Sequence, residues 1–455
     1  MTKDPRHIAF SILLESGTGR VTLDRALDRH DPKILALPLK DRALCHAIVF
    51  GVLRHRGRID HLIRAFSSRP FDRLDAGVLE ILRVALFQMV FLDRVPDFAA
   101  INTAVQLTKQ TISKKSTGFV NAVLRQAARE YKDIDIPSAS GQFFAHLRVA
   151  CSIPKWLGSR WTGVYGQDRT LALCQSLMEI PPLTLRVNRL KTDRHTLAKQ
   201  LRESGRDTED TRFSPDGLDL TGPGICISNL PGYPEGLFQV QDEAAQMVSQ
   251  VLNPCPGESI LDACAGLGGK TCHMAQLMEN RGRIVAADID AAKLDRLEAE
   301  ASRLGICIVE GAAMDVSRAT TKDTHGYFDR VLVDAPCTGL GVIRRNPDTR
   351  WKRSIKDIQR MAARQKKILN AAASLVSPGG TLVYAVCSCE AEENQEVIDY
   401  FLARRKDFIP DSSGMARTAA KLFSAAPDRA WFKTFPDPGR MDGFFVARLK
   451  RKECP

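Results

Sequence analysis

Two cysteines and an acid are spaced so that one chemistry can use all three. An apolar run ends in Asp334-Ala335-Pro336-Cys337-Thr338-Gly339, and about fifty residues later a second run, Thr381 to Val386, ends in Cys387-Ser388. Short apolar runs bounded by turn residues read as buried strands. In open α/β sheets, ligands bind beyond the C-terminal strand ends. A thiolate there is a strong nucleophile if its pKa is lowered and it is exposed. Carbon 5 of cytosine does not take a methyl group unaided. Thiolate addition at carbon 6 makes it enamine-like, and an acid at the N3 edge stabilises the adduct. A base must then remove the C5 proton before the thiol leaves. Cys387, Asp334 and Cys337 supply these parts if their strands are neighbours. A lone cysteine is more often a small buried apolar residue, and that is the expectation for Cys45, Cys151, Cys174, Cys226, Cys255, Cys272 and Cys307.

A third strand, Ser259 to Asp262, runs into Ala263-Cys264-Ala265-Gly266-Leu267-Gly268-Gly269-Lys270-Thr271. Glycines let backbone approach a ligand, and a following helix N-terminus supplies donors. The spacing before Lys270 is not that of a phosphate-binding Walker loop. Lys270 itself reads as a cap or a salt-bridge partner. Asp288 closes the next strand, where an acid can hold ribose hydroxyls. Together these residues fit an adenosine-type cofactor, NAD or S-adenosylmethionine, and the loop does not decide between them.

The elements that position these groups follow from alternating patterns beyond residue 237. Helices are expected near Thr271–Glu279, Ala291–Leu304, Ile355–Leu375 and Glu392–Arg404. Strands are expected at Ile260–Leu261, Ile284–Asp288, Ile306–Val309, Val331–Val333, Thr381–Val386 and Phe444–Ala447, with Pro378-Gly379-Gly380 ending the long helix. Such alternation predicts a mostly parallel, doubly wound sheet. Arg344, Arg345 and Arg350 flank the reactive segment and read as RNA phosphate contacts, with Trp351 packed. A target base must leave its stack to reach the thiol, so a basic rim is expected.

Residues 1–135 read as all helix, with Pro70 and Pro96 as punctuation. They carry 22 Lys and Arg against 15 Asp and Glu, more than half of the net charge of +12. Arg54-His55-Arg56-Gly57-Arg58 forms a basic cluster and Lys114-Lys115 precede a helix; a solvated basic face and phosphate contact are equally compatible with this. Residues 136–236 read as a helical connector and a small α+β module. Pro154 opens a helix, Leu183 to Asn188 alternates as a strand, Thr196–Ser204 is helical, and a Gly/Pro-rich stretch spans residues 222–236.

The chain has 455 residues, a length for two or three domains. Its pI of about 9.2 favours an anionic partner, nucleic acid first. No signal peptide and no apolar run long enough to span a membrane is apparent. Twelve scattered cysteines fit a reducing, cytoplasmic compartment. Cys387-Ser388-Cys389 lacks zinc spacing and a histidine cluster, so no metal is expected.

Several stretches resemble a known family. Ile101-Asn102-Thr-Ala104-Val105 and Gly118-Phe119-Val120-Asn121 to Arg125 look like the NusB-type RNA-binding helical domain, with Asn102 and Asn121 read as capping or joining helices. Asp334-Ala-Pro336-Cys337-Thr-Gly339-Leu-Gly341-Val342, Arg345 to Trp351, Tyr384 to Ser388 and Glu392-Glu393-Asn394 resemble the RNA (cytosine-5) methyltransferases, of the RsmB (Fmu/Sun) type. Leu185-Arg-Val187-Asn188 and Val240 to Gln246 extend the likeness over nearly the whole chain.

The resemblance implies a multidomain architecture. It comprises an all-α NusB-like RNA-binding bundle (1–135), a connector with a small α+β module (136–236), and a Rossmann-like class I methyltransferase domain (237–455). It implies S-adenosylmethionine as cofactor, held by Cys264, Ala265, Gly266, Leu267, Gly268, Gly269, Lys270, Asp288, Asp334 and Asp315. Here Gly266-Leu267 replaces the family's Ala-Pro, and Asp315 is the nearest acid to the place where Ala312 stands. The implied nucleophile is Cys387, with Cys337 assisting release and Asp334 at the target, whereas DNA cytosine methyltransferases use the cysteine of their Pro-Cys pair. The implied substrate is a cytosine of 16S rRNA, the RsmB-type site being cytosine 967, methylated by a monomer on free or early-assembly RNA. A transfer-RNA target, a non-catalytic NusB-like RNA-binding factor, and a nicotinamide-dependent dehydrogenase are the competing readings.

Overall fold

The computed structural model describes residues 4–19, 21–221, 225–324, 326–412, 419, 431–436 and 441–453. Residues 222–224 of the Gly/Pro-rich stretch lie outside the described residues. The chain forms two compact units, Met1–Glu179 with Ile343–Lys352, and Ile180–Val342 with Arg353–Pro455.

The first unit is helical. Its helices are α1 (Pro5–Gly17), α2 (Leu23–Leu35), α3 (Leu39–Phe66), α4 (Ala76–Phe91), α5 (Asp97–Thr111), α6 (Thr117–Glu130), α7 (Phe143–Val149), α8 (Lys155–Tyr165) and α9 (Gln167–Ser176). Asp4 caps α1 with Pro5 in its first turn, and Asp75 caps α4 by accepting from the Val78 N–H. Helix α4 is apolar nearly all round, and Ile81, Leu82, Val84, Ala85 and Leu86 are buried at the centre of the bundle. Its one buried cation, Arg83, is held by Asp60 at 2.7 and 2.9 Å and by Glu80.

The same unit takes in the segment Ile343–Lys352, which ends in a short helix, α14 (Thr349–Lys352). This corrects the expectation of a phosphate-binding rim, because Arg344 and Arg350 are fully buried. Arg350 donates to the Cys151 and Leu177 carbonyls at 3.0 and 3.1 Å and lies 3.5 Å from the Met178 sulfur. Arg54 Nη2 donates to the Arg344 carbonyl, and Trp351 Nε1 to that of Leu53, both in this unit. A guanidinium has five donors in a fixed fork; here helix-end carbonyls accept from both Nη groups of Arg350, as phosphate oxygens would at a surface, while its Nε has no partner among the described residues. The Arg54–Arg58 cluster is likewise no exposed face, since Arg54 and Gly57 are buried and Arg58 donates to the Ile134 carbonyl. Asn102 and Asn121 lie inside α5 and α6 rather than at caps, and the Asn121 side chain accepts from Arg125.

The second unit opens with an antiparallel sheet of order β2-β3-β1-β4, from β1 (Leu183–Val187), β2 (Thr208–Asp210), β3 (Gly217–Leu220) and β4 (Phe238–Val240). Helix α10 (Arg194–Glu203) packs Leu197, Ala198 and Leu201 against Leu185, Val187 and Phe238 of this sheet.

Beyond it come α11 (Glu243–Leu252), β5 (Ser259–Asp262), α12 (Gly269–Leu277), β6 (Arg283–Asp288), α13 (Ala291–Leu304), β7 (Val309–Ala313) and β8 (Phe328–Asp334). Then follow α15 (Ile355–Ala373), β9 (Val376–Val386), α16 (Gln395–Arg404), β10 (Phe408–Pro410), β11 (Trp431–Lys433) and β12 (Phe445–Arg451). The sheet order is β10-β12-β9-β8-β5-β6-β7, with β11 also on β12. Strands β9, β8, β5, β6 and β7 are parallel neighbours, and β12 runs antiparallel to β9. Helices cover both faces, and the central strands are almost wholly apolar, as doubly wound sheets require.

Two expected boundaries move. The strand expected at Ile306–Val309 begins only at Val309. Gly305, at φ +74°, ends α13, and the Ile306 N–H returns to the Ala301 carbonyl, so Ile306 packs as the apolar residue after a helix cap. Pro378-Gly379-Gly380 lies within the span of β9 rather than ending α15. The pairing with β8 jumps from Phe328–Val376 to Arg330–Thr381 across it, so the proline sits in an irregularity that needs no N–H donor. Cys45, Cys151, Cys174 and Cys272 are buried as expected, Cys226 is half-buried, and Cys255 and Cys307 are exposed, because both stand in connections ahead of strands.

Candidate active site

The sheet reverses direction of growth at β5, which has β6 on one side and β8 on the other. The crevice outside such strand ends is where α/β proteins bind ligands. All twelve residues expected to carry the reaction or hold the cofactor belong to the unit built on this sheet.

The loop after β5 carries Cys264 to Lys270. Gly268 sits at φ +81°, and a Cβ there would meet Leu297 Cγ at 2.4 Å, so only glycine fits between the loop and α13. The next residue opens α12, whose first N–H groups have no partner inside the helix. Asp288, at the end of β6, accepts the Gly266 N–H on one oxygen at 3.0 Å and the Asp290 N–H on the other at 2.9 Å. Each oxygen keeps a lone pair for a further donor, such as a ribose hydroxyl. Leu267 projects from the loop and is 46% exposed. Cys264 and Ala265 are half-buried. Burial first, and then the charges of Asp262, Asp334 and Asp288, raise the Cys264 pKa, so it is a neutral thiol among carboxylates. Asp315 is exposed one short step beyond β7 and accepts from the Ser317 N–H. A glycine cradle, a helix N-terminus and an acid with free lone pairs fit an adenosyl cofactor.

The two cysteines do meet. Strands β8 and β9 are parallel neighbours with Asp334 opposite Ala385, and the Ala335 N–H bonds to the Ala385 carbonyl. This places Cys337 Sγ 3.1 Å from Cys387 Sγ. The Gly341 N–H bonds to the Cys387 carbonyl and the Gly443 N–H to the Gly341 carbonyl, so three loops lie against one another. A Cβ on Gly341 would stand 2.1 Å from the Gly443 carbonyl oxygen, which excludes any other residue there. The hydrogen bond with Cys387 first, and burial next, push the Cys337 thiol well above its usual range.

Asp334 takes the Lys270 ammonium at 2.6 Å. Burial works to lower the Lys270 pKa, but the charge and hydrogen bond of Asp334 outweigh it and the pKa is raised. The Lys270 Nζ also lies 5.4 Å from the centre of the Phe444 ring. Behind this pair, Asp262 accepts from Thr271 Oγ1 at 2.7 Å and is buried; burial, with Thr271 acting against it, raises its pKa to about 7. A cation, a carboxylate, two thiols and an aromatic wall thus converge, and of these only the aromatic ring of Phe444 is absent from the site residues expected from the sequence. The local pattern around Lys270 does not name Asp334 as its partner, and nothing in that of Phe444 sets it apart from a strand residue. Among the described residues, no cluster of His, Cys, Asp and Glu could hold a metal ion, and no helix is long and apolar enough to cross a membrane.

A class I methyltransferase sheet with a cysteine after each of two central strands defines the class of enzyme. Comparison with known proteins places it further. Residues 249–450 match the family described as 16S rRNA methyltransferase RsmB/F, residues 3–129 the NusB family, and residues 153–226 the RsmF/B-like ferredoxin-like domain. The "Probable ribosomal RNA small subunit methyltransferase B" of Bacillus subtilis is 35% identical, over 91% of each chain. The "Ribosomal RNA small subunit methyltransferase B" of Pseudomonas syringae pv. tomato is 34% identical, over 98% of this chain and 96% of its own. The crystal structure of PH0851 superposes with a TM-score of 0.78 at 27% identity, covering 99% of this chain and 100% of that one. The chain belongs to the RsmB family of S-adenosylmethionine-dependent rRNA methyltransferases.

Proposed function

We propose that the protein methylates carbon 5 of one cytosine of 16S rRNA, the position matching cytosine 967, through a covalent adduct with Cys387. The observation that carries this reading is the 3.1 Å approach of Cys387 and Cys337 beside the Asp334–Lys270 pair. The Cys387 thiolate bonds to C6 and N3 takes up a proton at the Asp334–Lys270 edge, so that the displaced electron pair ends as an N3–H bond held by the Asp334 carboxylate. S-adenosylmethionine, when bound by the loop after β5, would supply the methyl group to C5 and leave as S-adenosylhomocysteine. The C5 proton then passes to water, the ring electrons return to the C5–C6 bond as the sulfur–C6 bond breaks, N3 gives back its proton, and the Cys337 thiol donates to the leaving Cys387 thiolate to assist release.

Cys264 to Lys270, Asp288, Asp334 and Asp315 hold the cofactor in this reading. The helical residues 1–135 bind the RNA, residues 136–236 orient it, and residues 237–455 do the chemistry. The enzyme works as a cytoplasmic monomer on free or early-assembly RNA. The test is incubation of the purified protein with unmodified 16S rRNA and labelled S-adenosylmethionine, followed by mapping of 5-methylcytosine. One methylated cytosine, lost with Cys387→Ala, is expected. Labelling that survives Cys387→Ala, or falls on another atom, would overturn the reading.

A further inference from the structure

Glu393 is a fully buried carboxylate that no step above uses. One of its oxygens accepts the Thr338 N–H at 2.8 Å and Gln365 Nε2 at 3.1 Å. The other accepts the hydroxyls of Thr338 and Ser388. Thr338 directly follows Cys337, and Ser388 directly follows Cys387. Gln365 of α15 also donates to the carbonyl of Pro336, the residue before Cys337, at 3.0 Å. The Glu393 backbone is itself fixed, because the hydroxyl of buried Tyr384 in β9 donates to its carbonyl at 2.6 Å. Asn394 Nδ2 donates to the Ser388 carbonyl.

All four donors to this carboxylate thus come from the two cysteine loops or from the side chain that braces one of them. No ion pair reaches Glu393 among the described residues. Strand pairing fixes β8 and β9 only as far as Asp334 and Ala385. Beyond that point each chain enters a loop, and a side-chain tie is what holds the two loops in register. A carboxylate is suited to it, since it accepts only and spans four donors at once.

We propose that Glu393 is a positioning residue that sets the distance and direction between the Cys337 and Cys387 sulfurs by holding the residue after each. This rests on the reading that these two thiols carry the reaction. Burial raises the Glu393 pKa, while the hydrogen bonds from Ser388 and Thr338 act to keep it ionised. Its charge is also among the influences that keep Cys337 a thiol, after Cys387 itself and burial. The tie therefore supports a division of labour in which one sulfur attacks and the other holds a proton.

The test uses the full chain with Glu393→Gln, and Thr338→Val with Ser388→Ala as a second variant that keeps the carboxylate. Two readouts are taken. The first is kcat and KM for 16S rRNA methylation. The second needs no RNA: it is the rate at which diamide converts the two thiols to a disulfide, read as the loss of two hydrogens by mass, with peptide mapping to Cys337 and Cys387. Each sulfur gives up a proton and an electron to the reagent's nitrogen–nitrogen double bond. For both variants kcat should fall about a hundredfold, the loss expected when reacting groups shift by about 1 Å. KM should stay within about twofold, and the disulfide rate should fall at least about tenfold. Unchanged kcat, or an unchanged disulfide rate in both variants, would overturn the proposal. If Glu393→Gln does not fold, the second variant decides alone. Wild-type protein that forms the disulfide readily but methylates no cytosine would sink the proposed reaction instead; the slower disulfide of the variants would still support the tie.

Discussion

Lys270 Nζ stands 2.6 Å from Asp334 Oδ2, although 64 residues separate them in the chain. One side chain stands in the first turn of α12, at the end of the cofactor loop, and the other closes β8, so the pair joins the two halves of the site. Asp334 holds Lys270 charged despite burial, and the cation in turn fixes the carboxylate that faces the target base in the proposed reaction. Lys270→Met keeps length and packing but removes the charge. Single-turnover methylation should slow by about 10²- to 10³-fold, the usual loss on deleting one preorganised electrostatic group. RNA binding, read by filter retention, should stay within about twofold. A rate near that of the wild type would make the pair purely structural.

The two cysteines predict opposite phenotypes. Cys337→Ala leaves the sulfur of Cys387 free to attack and removes its neighbour, so a denaturation-resistant protein–RNA band should accumulate with 16S rRNA and S-adenosylmethionine. Adding Cys387→Ala should abolish the band. A band that persists in the double variant would assign the nucleophile elsewhere.

His273 predicts a pH dependence of stability. It is fully buried in α12, neither ring nitrogen is hydrogen-bonded among the described residues, and Asp216 lies 3.7 Å from Nε2. Burial first, and then the charge of Arg186, lower its pKa from 6.5 to about 4, so the ring is neutral in the folded protein and Asp216 is not its ion-pair partner. A lowered pKa means that the unfolded chain binds the proton first. The stability is present above pH 6.5 and is lost as the pH falls toward 4. The loss amounts to about 3 kcal/mol. His273→Gln should flatten this part of the curve of melting temperature against pH, and an identical acid slope in the variant would contradict the neutral assignment.

Arg350 predicts a destabilised helical unit. Its guanidinium is buried against carbonyls with no carboxylate partner among the described residues, and burial above all lowers its pKa to about 9. Arg350→Ala leaves the Cys151 and Leu177 carbonyls unpaired beside a cavity. Thermal melts should show a loss of about 3 kcal/mol. Lys114→Ala, at an exposed position, should change stability by no more than about 0.5 kcal/mol. Equal effects of the two would mean that Arg350 is not a buried tie.

Much of this enzyme is readable one segment at a time. The apolar run into Asp334-Ala-Pro336-Cys337, its counterpart into Cys387, the glycine loop before Lys270 and the exact span of α13 all follow from periodicity and turn chemistry, which are local properties of the chain. That locality also explains the misplacements. An apolar residue after a helix cap, Ile306, carries the same signature as the start of a strand, and a cysteine in a connection, Cys255 or Cys307, carries the same signature as one in a core. Charge is the least legible property. Arg344 and Arg350 look like a phosphate-binding rim until the fold buries them, because composition records that a cation is present and not which oxygen satisfies it. The pairing of Lys270 with Asp334, the contact of Cys337 with Cys387 and the four donors around Glu393 belong to the tertiary structure alone. All but the donor from Ser388 join segments tens of residues apart, and such contacts exist only once the parallel order of β5, β8 and β9 has set the strand ends side by side.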